Sequence, residues 1–590
     1  VLTRMPGWTL TRNAASEVSR ALDIKAMGLD KVLELKPTDP ERRFTVPEGL
    51  DLEDIEPEIL AITREANNLR WNLARAAGSR AASVGLPDVL AAATPGAGGG
   101  PDAWLPDPDL GSNNWVIGGA KSATGMPIIA NDPHREVVNP ALRYVVHLEA
   151  PGWSAIGATE PGLPGISIGH NDRLAWGFTI LGMDQQDLYV EETDPANPTR
   201  YLADGQWRDM EVDKQLIWVK GKAEPVVVEH KFTRHGPVLY QSTKRPRAFA
   251  LRWVGAEPGG AGYLGSLNVM QAKTWKEFND ALPKAWFIPS HSLVYADVEG
   301  NYGYVGVAWT PVRRNWDGLL PVPGKDSKYE WDGHVPFDQL PKQLNTPRGF
   351  YNSSNNDVVP KIVPGYRIPL GYEYSAPYRF DRVFEVLAQN RKFTVSDMAA
   401  LQQDVVSLPA RQLVPLLKGL RIDDARVARA RDLLLGWNFV LDRDSTPAAI
   451  YEYWTLKLGP LAFAPRVPEA GKRRVTQYDM RRIIAWMRSP DRAYGANPAR
   501  ARDAILIEAL TQAVADLTRK KGEDIAAWKW GDLHTADFVH PLAGAPGAAD
   551  LFHVDPVRRG GDAFTVMAAG GLSETSSRQA SGASFSFVFD

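Results

Sequence analysis

The chain has 590 residues, 44% of them apolar and 23% charged, a balance typical of a folded globular protein. Its 67 Lys and Arg stand against 70 Asp and Glu, a formal net charge of −3, and this near-balance argues against a general nucleic-acid binder, which carries a basic surface. The chain has no cysteine, so disulfides, thiolate catalysis and Cys-ligated metal centres are excluded.

Aromatic residues are plentiful at 9%, which argues against disorder despite 51 Gly and 45 Pro. No run of apolar residues is long enough to span a membrane as a helix. The chain opens Val-Leu-Thr-Arg, without a basic start followed by an apolar core, so any signal peptide is expected to have been removed or to lie outside this sequence.

In chain order, residues 1–93 read as helical. A helix is expected from the Asn13–Glu17 start, with Val18, Ala21, Leu22 and Ile24 on one side. A second is expected over about 53–78, with Ile55, Ile59, Ile62, Ala66 and Leu69 as its stripe. Residues 94–111, TPGAGGGPDAWLPDPDLG, carry five Gly and four Pro and read as a spacer. From 113 to about 260, short β-branched and aromatic runs alternate with Gly, Pro, Asn and Asp, the pattern of antiparallel strands. A helix is expected over 274–283, a hairpin over 292–312 around Asp297–Asn301, a helical region over 394–520 and short strands at the end.

One short motif, Gly165-Ile166-Ser167-Ile168-Gly169, matches the GxSxG of a nucleophile elbow, but HNDRLAWGFTI after it reads as a turn and a strand where an elbow needs a helix. The ten His are scattered and indicate no transition-metal cluster. The more informative place is Gly111-Ser112-Asn113-Asn114-Trp115, where the spacer meets a β run. Gly111 lacks Cβ and can present its carbonyl in a conformation other residues resist. Attack by Ser112 on that carbonyl would free a new N-terminal serine. Its α-amine, with an ordinary pKa of about 7.7–8.0, is close to the best value for a general base near neutrality, so nucleophile and base would share one residue.

SNNWVIGGAKSATGMPIIANDPH from Ser112 resembles the β-chain start of the penicillin acylase family of N-terminal-nucleophile amidases. The likeness continues through GATEPGLPGISIGHNDRLAWGFTILGMDQQDLY and recurs at 233–238, 351–356, 378–383 and 530–542. It implies an α+β fold of four αββα layers, two antiparallel sheets between helices. Residues 1–93 would be the C-terminal part of an α-chain, and 112–590 a β-chain with a helical insertion at about 394–520. The implied activity is hydrolysis of a linear N-acyl amide after self-cleavage between Gly111 and Ser112, giving an α/β heterodimer from one precursor. A penicillin-type amide and an N-acyl homoserine lactone share the same scissile bond. A conventional serine hydrolase using Ser167, and a non-catalytic binding protein on this scaffold, are the alternatives.

By the same resemblance, Ser112 is the nucleophile, His134 lies near it, Ile180 offers a backbone N–H to the oxyanion, Asn355 offers its side-chain amide, and Arg382 holds that Asn. Arg135 and Phe178 are candidates for the substrate pocket. Arg135 stands where phenylacetyl-binding members have an aromatic, and Ile168 where glutaryl-type members have Arg, so neither acyl specificity is indicated. A structural calcium ion is implied, bound by Glu17, Asp184, the carbonyl of Gln186 and Asp187; two carboxylates flanking a carbonyl suit a hard cation. Family chains begin before Val1 and run past Asp590, so both ends are expected to be truncated. Family members are commonly periplasmic, so a periplasmic or secreted location is expected.

Overall fold

The computed structural model describes residues 11, 13–60, 111–259, 264–540, 542 and 549–590. Two antiparallel sheets face each other at its centre. The first runs Phe350–Ser353, Gly111–Ile117, Ile128–Glu136, with Ser581–Ala583 and Phe587–Phe589 both pairing along the last. The second has seven strands, in the order Lys342–Leu344, Tyr302–Val307, His291–Asp297, Leu174–Ile180, Ile168–Asn171, Trp153–Thr159, Tyr144–Ala150.

Strand alternation builds the layers. On Gly111–Ile117, Trp115 and Ile117 pack with Val383, Leu387, Met398 and Leu401 of the helices Tyr378–Leu387 and Val395–Gln402. Val116 faces the other way, into the core shared with Trp176, Val294 and Tyr304 of the seven-stranded sheet. Beyond that sheet, Phe278, Leu282 and Trp286, in and just after the helix Trp275–Ala285, cover Trp176 and Tyr295. The result is helix, sheet, sheet, helix, the αββα order expected.

Other expectations divide. The first helix is Asn13–Met27, and its Val18, Ala21 and Ile24 pack on Leu188, Val190, Phe249 and Leu251. Those residues belong to a third sheet of six strands, running from Glu211–Ile217 to Val322–Pro323, that the sequence pattern does not separate from the others. The helix expected over 53–78 begins later: Leu52–Asp54 is a single 3-10 turn, residues 58–60 are helical, and residues 61–78 lie outside the described residues. The spacer also lies outside them, apart from Gly111. The hairpin forms between His291–Asp297 and Tyr302–Val307, with the Asp297 carboxylate accepting from the N–H groups of Glu299 and Asn301.

The expected helical region is an assembly around Thr446–Phe463 and Pro498–Lys521. Ser445 and Asn497 cap their starts, Pro sits in the first turn of each, and Gly522 ends the longer one at φ +87°. Trp454 and Leu458 of one pack with Leu510 and Val514 of the other, burial worth about 1.5–3 kcal/mol for each aliphatic side chain.

Candidate active site

Ser112 is the second residue of an internal strand and is buried. Its neighbours converge from three distant segments. The Ser112 N–H donates to Asn355 Oδ1 at 2.5 Å, and Asn355 Nδ2 donates to the carbonyl of Ile180 at 3.0 Å. The Ser112 hydroxyl donates to the carbonyl oxygen of Gly111 at 2.5 Å, so the would-be nucleophile already lies against the peptide group it would attack.

Asn355 has φ +66°, a left-handed conformation costly for a non-glycine residue, held in part because Ser375 N–H bonds its carbonyl. Its amide orientation follows from its partners: two donors, Ser112 N–H and Arg379 Nη2 (3.1 Å), point at Oδ1, and a carbonyl faces Nδ2. The second hydrogen on Nδ2 has no partner among the described residues.

The arginine at this centre is Arg379. Its Nη1 donates to Ser112 O and Asn113 Oδ1, each at 2.8 Å, while Nη2 reaches Asn355. Burial pulls its pKa down to about 10, so it stays charged at neutral pH. The expectation for Arg382 is corrected. One turn further along Tyr378–Leu387, its Nη2 binds Asp404 at 2.6 Å, with Glu385 also beside it, and it does not touch Asn355. The sequence does carry a sign of the difference: Arg379, Val383 and Leu387 follow at i, i+4, i+8, which puts Arg379 on the apolar stripe and Arg382 on its flank.

His134 sits opposite Gly111 in the strand register, but its ring lies on the helix side of the sheet. There Nε2 binds Asp132 Oδ2 at 2.7 Å, and Asn113 Nδ2 binds the same carboxylate oxygen at 2.8 Å. Burial lowers the His134 pKa and raises that of Asp132. His134 therefore reaches Ser112 only through Asn113 and Arg379. Two residues that sequence reasoning misses, Asn113 and Asn131, join the layers here. Asn131 Nδ2 donates to the carbonyls of Asn113 (2.5 Å) and Phe178 (3.1 Å), and its Oδ1 accepts the Phe178 N–H at 2.9 Å. Gly177 permits this approach, since a Cβ there would lie 2.9 Å from Asn131 Oδ1.

Phe178 packs against His291 with ring centroids 4.0 Å apart. Burial, then the positive fields of Arg143 and Arg135, hold the His291 pKa well below its usual value. Arg135 is half-buried and has no ion-pair partner among the described residues. A cavity of about 940 Å³ opens beside Arg379, walled by Tyr374, Ser375, Glu452, Tyr478 and Phe564.

Gly111 is required by space. A Cβ on it would lie 2.6 Å from Asn355 Oδ1 and 2.7 Å from Arg379 Nη2. Overpacking of this kind costs about 1–3 kcal/mol, so Gly111→Ala is expected to lower the midpoint of thermal unfolding. Thermal unfolding of the variant beside the wild type measures it.

Residues 1–590 match the family profile described as Penicillin amidase. The chain belongs to the penicillin amidase family. It is 30% identical over 495 residues to penicillin acylase 2 proenzyme of Pseudomonas sp. (strain SE83), covering 81% of this chain and 62% of that protein. It is 29% identical over 512 residues to the acyl-homoserine lactone acylase QuiP of Pseudomonas aeruginosa PAO1, covering 77% of this chain and 59% of that one. The chain thus spans about three-fifths of the length of these curated relatives. Among solved structures, the thermostable penicillin G acylase from Alcaligenes faecalis aligns with a TM-score of 0.60 at 26% identity, over 70% of this chain and 80% of that one.

Elsewhere in this penicillin amidase family chain, Ser167 lies just before the strand Ile168–Asn171, which turns into another strand and not into a helix. Its hydroxyl meets Thr159 Oγ1 at 3.3 Å, and no imidazole or carboxylate bonds it among the described residues.

The residues matched to a calcium site do come together. Glu17 Oε2 accepts the Leu188 N–H at 3.1 Å, which sets its carboxylate against the segment carrying Asp184, Gln186 and Asp187. Burial holds the Glu17 and Asp184 carboxyls well above the usual range. Their oxygens are hard donors of the kind calcium takes, but a guanidinium already lies on them. Arg313 Nε donates to Asp187 Oδ2 at 2.7 Å, and Nη2 to Asp184 Oδ1 at 2.9 Å and to Gln186 O at 3.4 Å. Glu17 Oε1 has no hydrogen-bond partner among the described residues. In this arrangement the set does not fit an added divalent ion.

Proposed function

We propose that this chain hydrolyses linear N-acyl amides through an N-terminal serine that it makes by cutting itself between Gly111 and Ser112. The observation that carries the reading is the convergence of the Ser112 hydroxyl, Asn355 and Arg379 on that one peptide bond, with Ile180 held against Asn355. In the first step Ser112 Oγ bonds to the Gly111 carbonyl carbon, the C–N bond breaks, and the nitrogen takes the hydroxyl proton. Water then hydrolyses the ester, leaving the Gly111 carboxylate and restoring the hydroxyl. The freed α-amine keeps Asn355 Oδ1 as a hydrogen-bond acceptor and Arg379 nearby. A neighbouring guanidinium disfavours the ammonium form, so the amine is available as a base at neutral pH.

With substrate, the amine takes the Ser112 hydroxyl proton and the oxygen attacks the amide carbonyl. The spare Asn355 N–H and the backbone N–H of Ile180 receive the developing oxyanion, donors worth about 10²–10³ in rate when preorganised. The amine product leaves with the proton, and water clears the acyl-enzyme. The substrates named in its relatives, penicillins and acyl-homoserine lactones, share this bond, and acyl amides graded by chain length and polarity would rank them. In this reading the product of cleavage is an α/β heterodimer in the periplasmic compartment.

The test is the mass of the denatured protein. Two fragments are expected, the larger starting at Ser112. An active amidase whose chain remains a single species would overturn the reading.

A further inference from the structure

We propose that Arg313 is a built-in cation that takes the place of the divalent ion implied for the Glu17, Asp184, Asp187 cluster. The guanidinium donates to one oxygen of each aspartate and points at the Gln186 carbonyl, three of the oxygens a metal would need. A planar fork of fixed donors matches paired carboxylates well, and Arg keeps its charge in a buried setting. A calcium ion on the same oxygens would sit at about 2.3–2.6 Å from each, on top of the guanidinium and repelled by it.

The surroundings are shaped for the arginine. Its side chain is only 8% exposed, and its Cζ lies 6.0 Å from the ring centre of Trp331. Trp331 Nε1 donates to Asp187 Oδ2 at 2.5 Å and Trp316 Nε1 to Asp187 Oδ1 at 3.3 Å, so organic donors approach both oxygens of that carboxylate. Gly318, at φ +77°, makes the room: a Cβ there would lie 2.9 Å from Arg313 Cζ and 2.5 Å from Asp184 Oδ2.

The position gives Arg313 a task. Asp184 and Asp187 close the turn that leaves the strand ending at Ile180, a turn also pinned by Leu181 N–H to Ser290 O and Asp184 N–H to Leu370 O. Glu17 is on the helix Asn13–Met27, N-terminal to the proposed cut. Arg313 is therefore a positioning residue that sets the segment below Ile180 and lends positive charge where the N-terminal helix docks.

Elemental analysis of the purified full chain, with thermal unfolding in EDTA and in calcium, decides it. The wild-type protein is expected to carry no stoichiometric calcium and to unfold at the same temperature in both. Arg313→Gln is expected to unfold several degrees lower in EDTA and to recover in millimolar calcium, because the vacated carboxylates then bind the metal in the folded state only. A calcium ion retained by the wild type, or a wild-type midpoint that falls in EDTA, would overturn the proposal. So would an Arg313→Gln protein with an unchanged midpoint and no calcium response. If that variant does not fold, the metal content of the wild type and its midpoints in EDTA and in calcium decide between the two outcomes by themselves.

Discussion

Ser112→Ala is expected to yield one uncut 590-residue chain with no measurable amide turnover. In the proposed mechanism the substitution removes the oxygen that serves both in self-cleavage and in catalysis, and it leaves the peptide nitrogen locked in an amide. Loss of a serine nucleophile that works as a unit with its base lowers kcat by about 10⁶. The fold should survive, because among the described residues the hydroxyl bonds only the Gly111 carbonyl and its removal costs about 1 kcal/mol. Mass spectrometry and an acyl-amide assay on the same sample check both halves. Ser167→Ala is the control and should leave processing and turnover intact. Retained turnover in Ser112→Ala would move the nucleophile elsewhere.

The second large effect is at Arg379. Arg379→Met is expected to lower kcat about 10²–10³-fold and to slow processing, since the carbonyl of Ser112 and both side-chain oxygens of Asn113 and Asn355 lose a donor in a buried site. Leaving such acceptors unmade costs about 1–3 kcal/mol each, so the unfolding midpoint should fall as well. Arg379→Lys separates positioning from charge: it keeps the cation but cannot fork to three oxygens, and it should restore stability more than rate. Arg382→Lys, which keeps a cation for Asp404, is the comparison and should stay within about twofold of wild type in kcat, because this largely buried pair touches neither Asn355 nor Ser112. Equal loss in both lysine variants would show that the whole helix, and not the Arg379 contacts, governs the site.

Much of this is legible in the chain. The Gly-Ser junction and the strand after it follow from local patterns, the αββα layering from the family resemblance, and Asn355 meets both Ser112 and Ile180. Arg379 takes the place expected for Arg382 because both stand on one helix three residues apart, and a motif with two arginines does not say which one points inward. His134 is expected beside Ser112. It is adjacent in register, but strand alternation sends its ring to the opposite side of the sheet, so its bonds go to Asp132 and Asn113. Arg313 gives no sign at all: in the run Val312-Arg313-Arg314-Asn315 one arginine is buried on two aspartates and the next reaches outward to Asp332.

By itself the sequence determined where most strands and helices form, which serine begins a strand after a glycine, and which residue types are absent. These are local properties, set by periodicity, by turn residues and by the chemistry of each side chain. Only the tertiary structure decided the partners. Asn355 lies 243 residues from Ser112, and Arg379 lies 267 away. Contacts over such separations leave no periodic trace, because they depend on which face of one packed element meets which face of another.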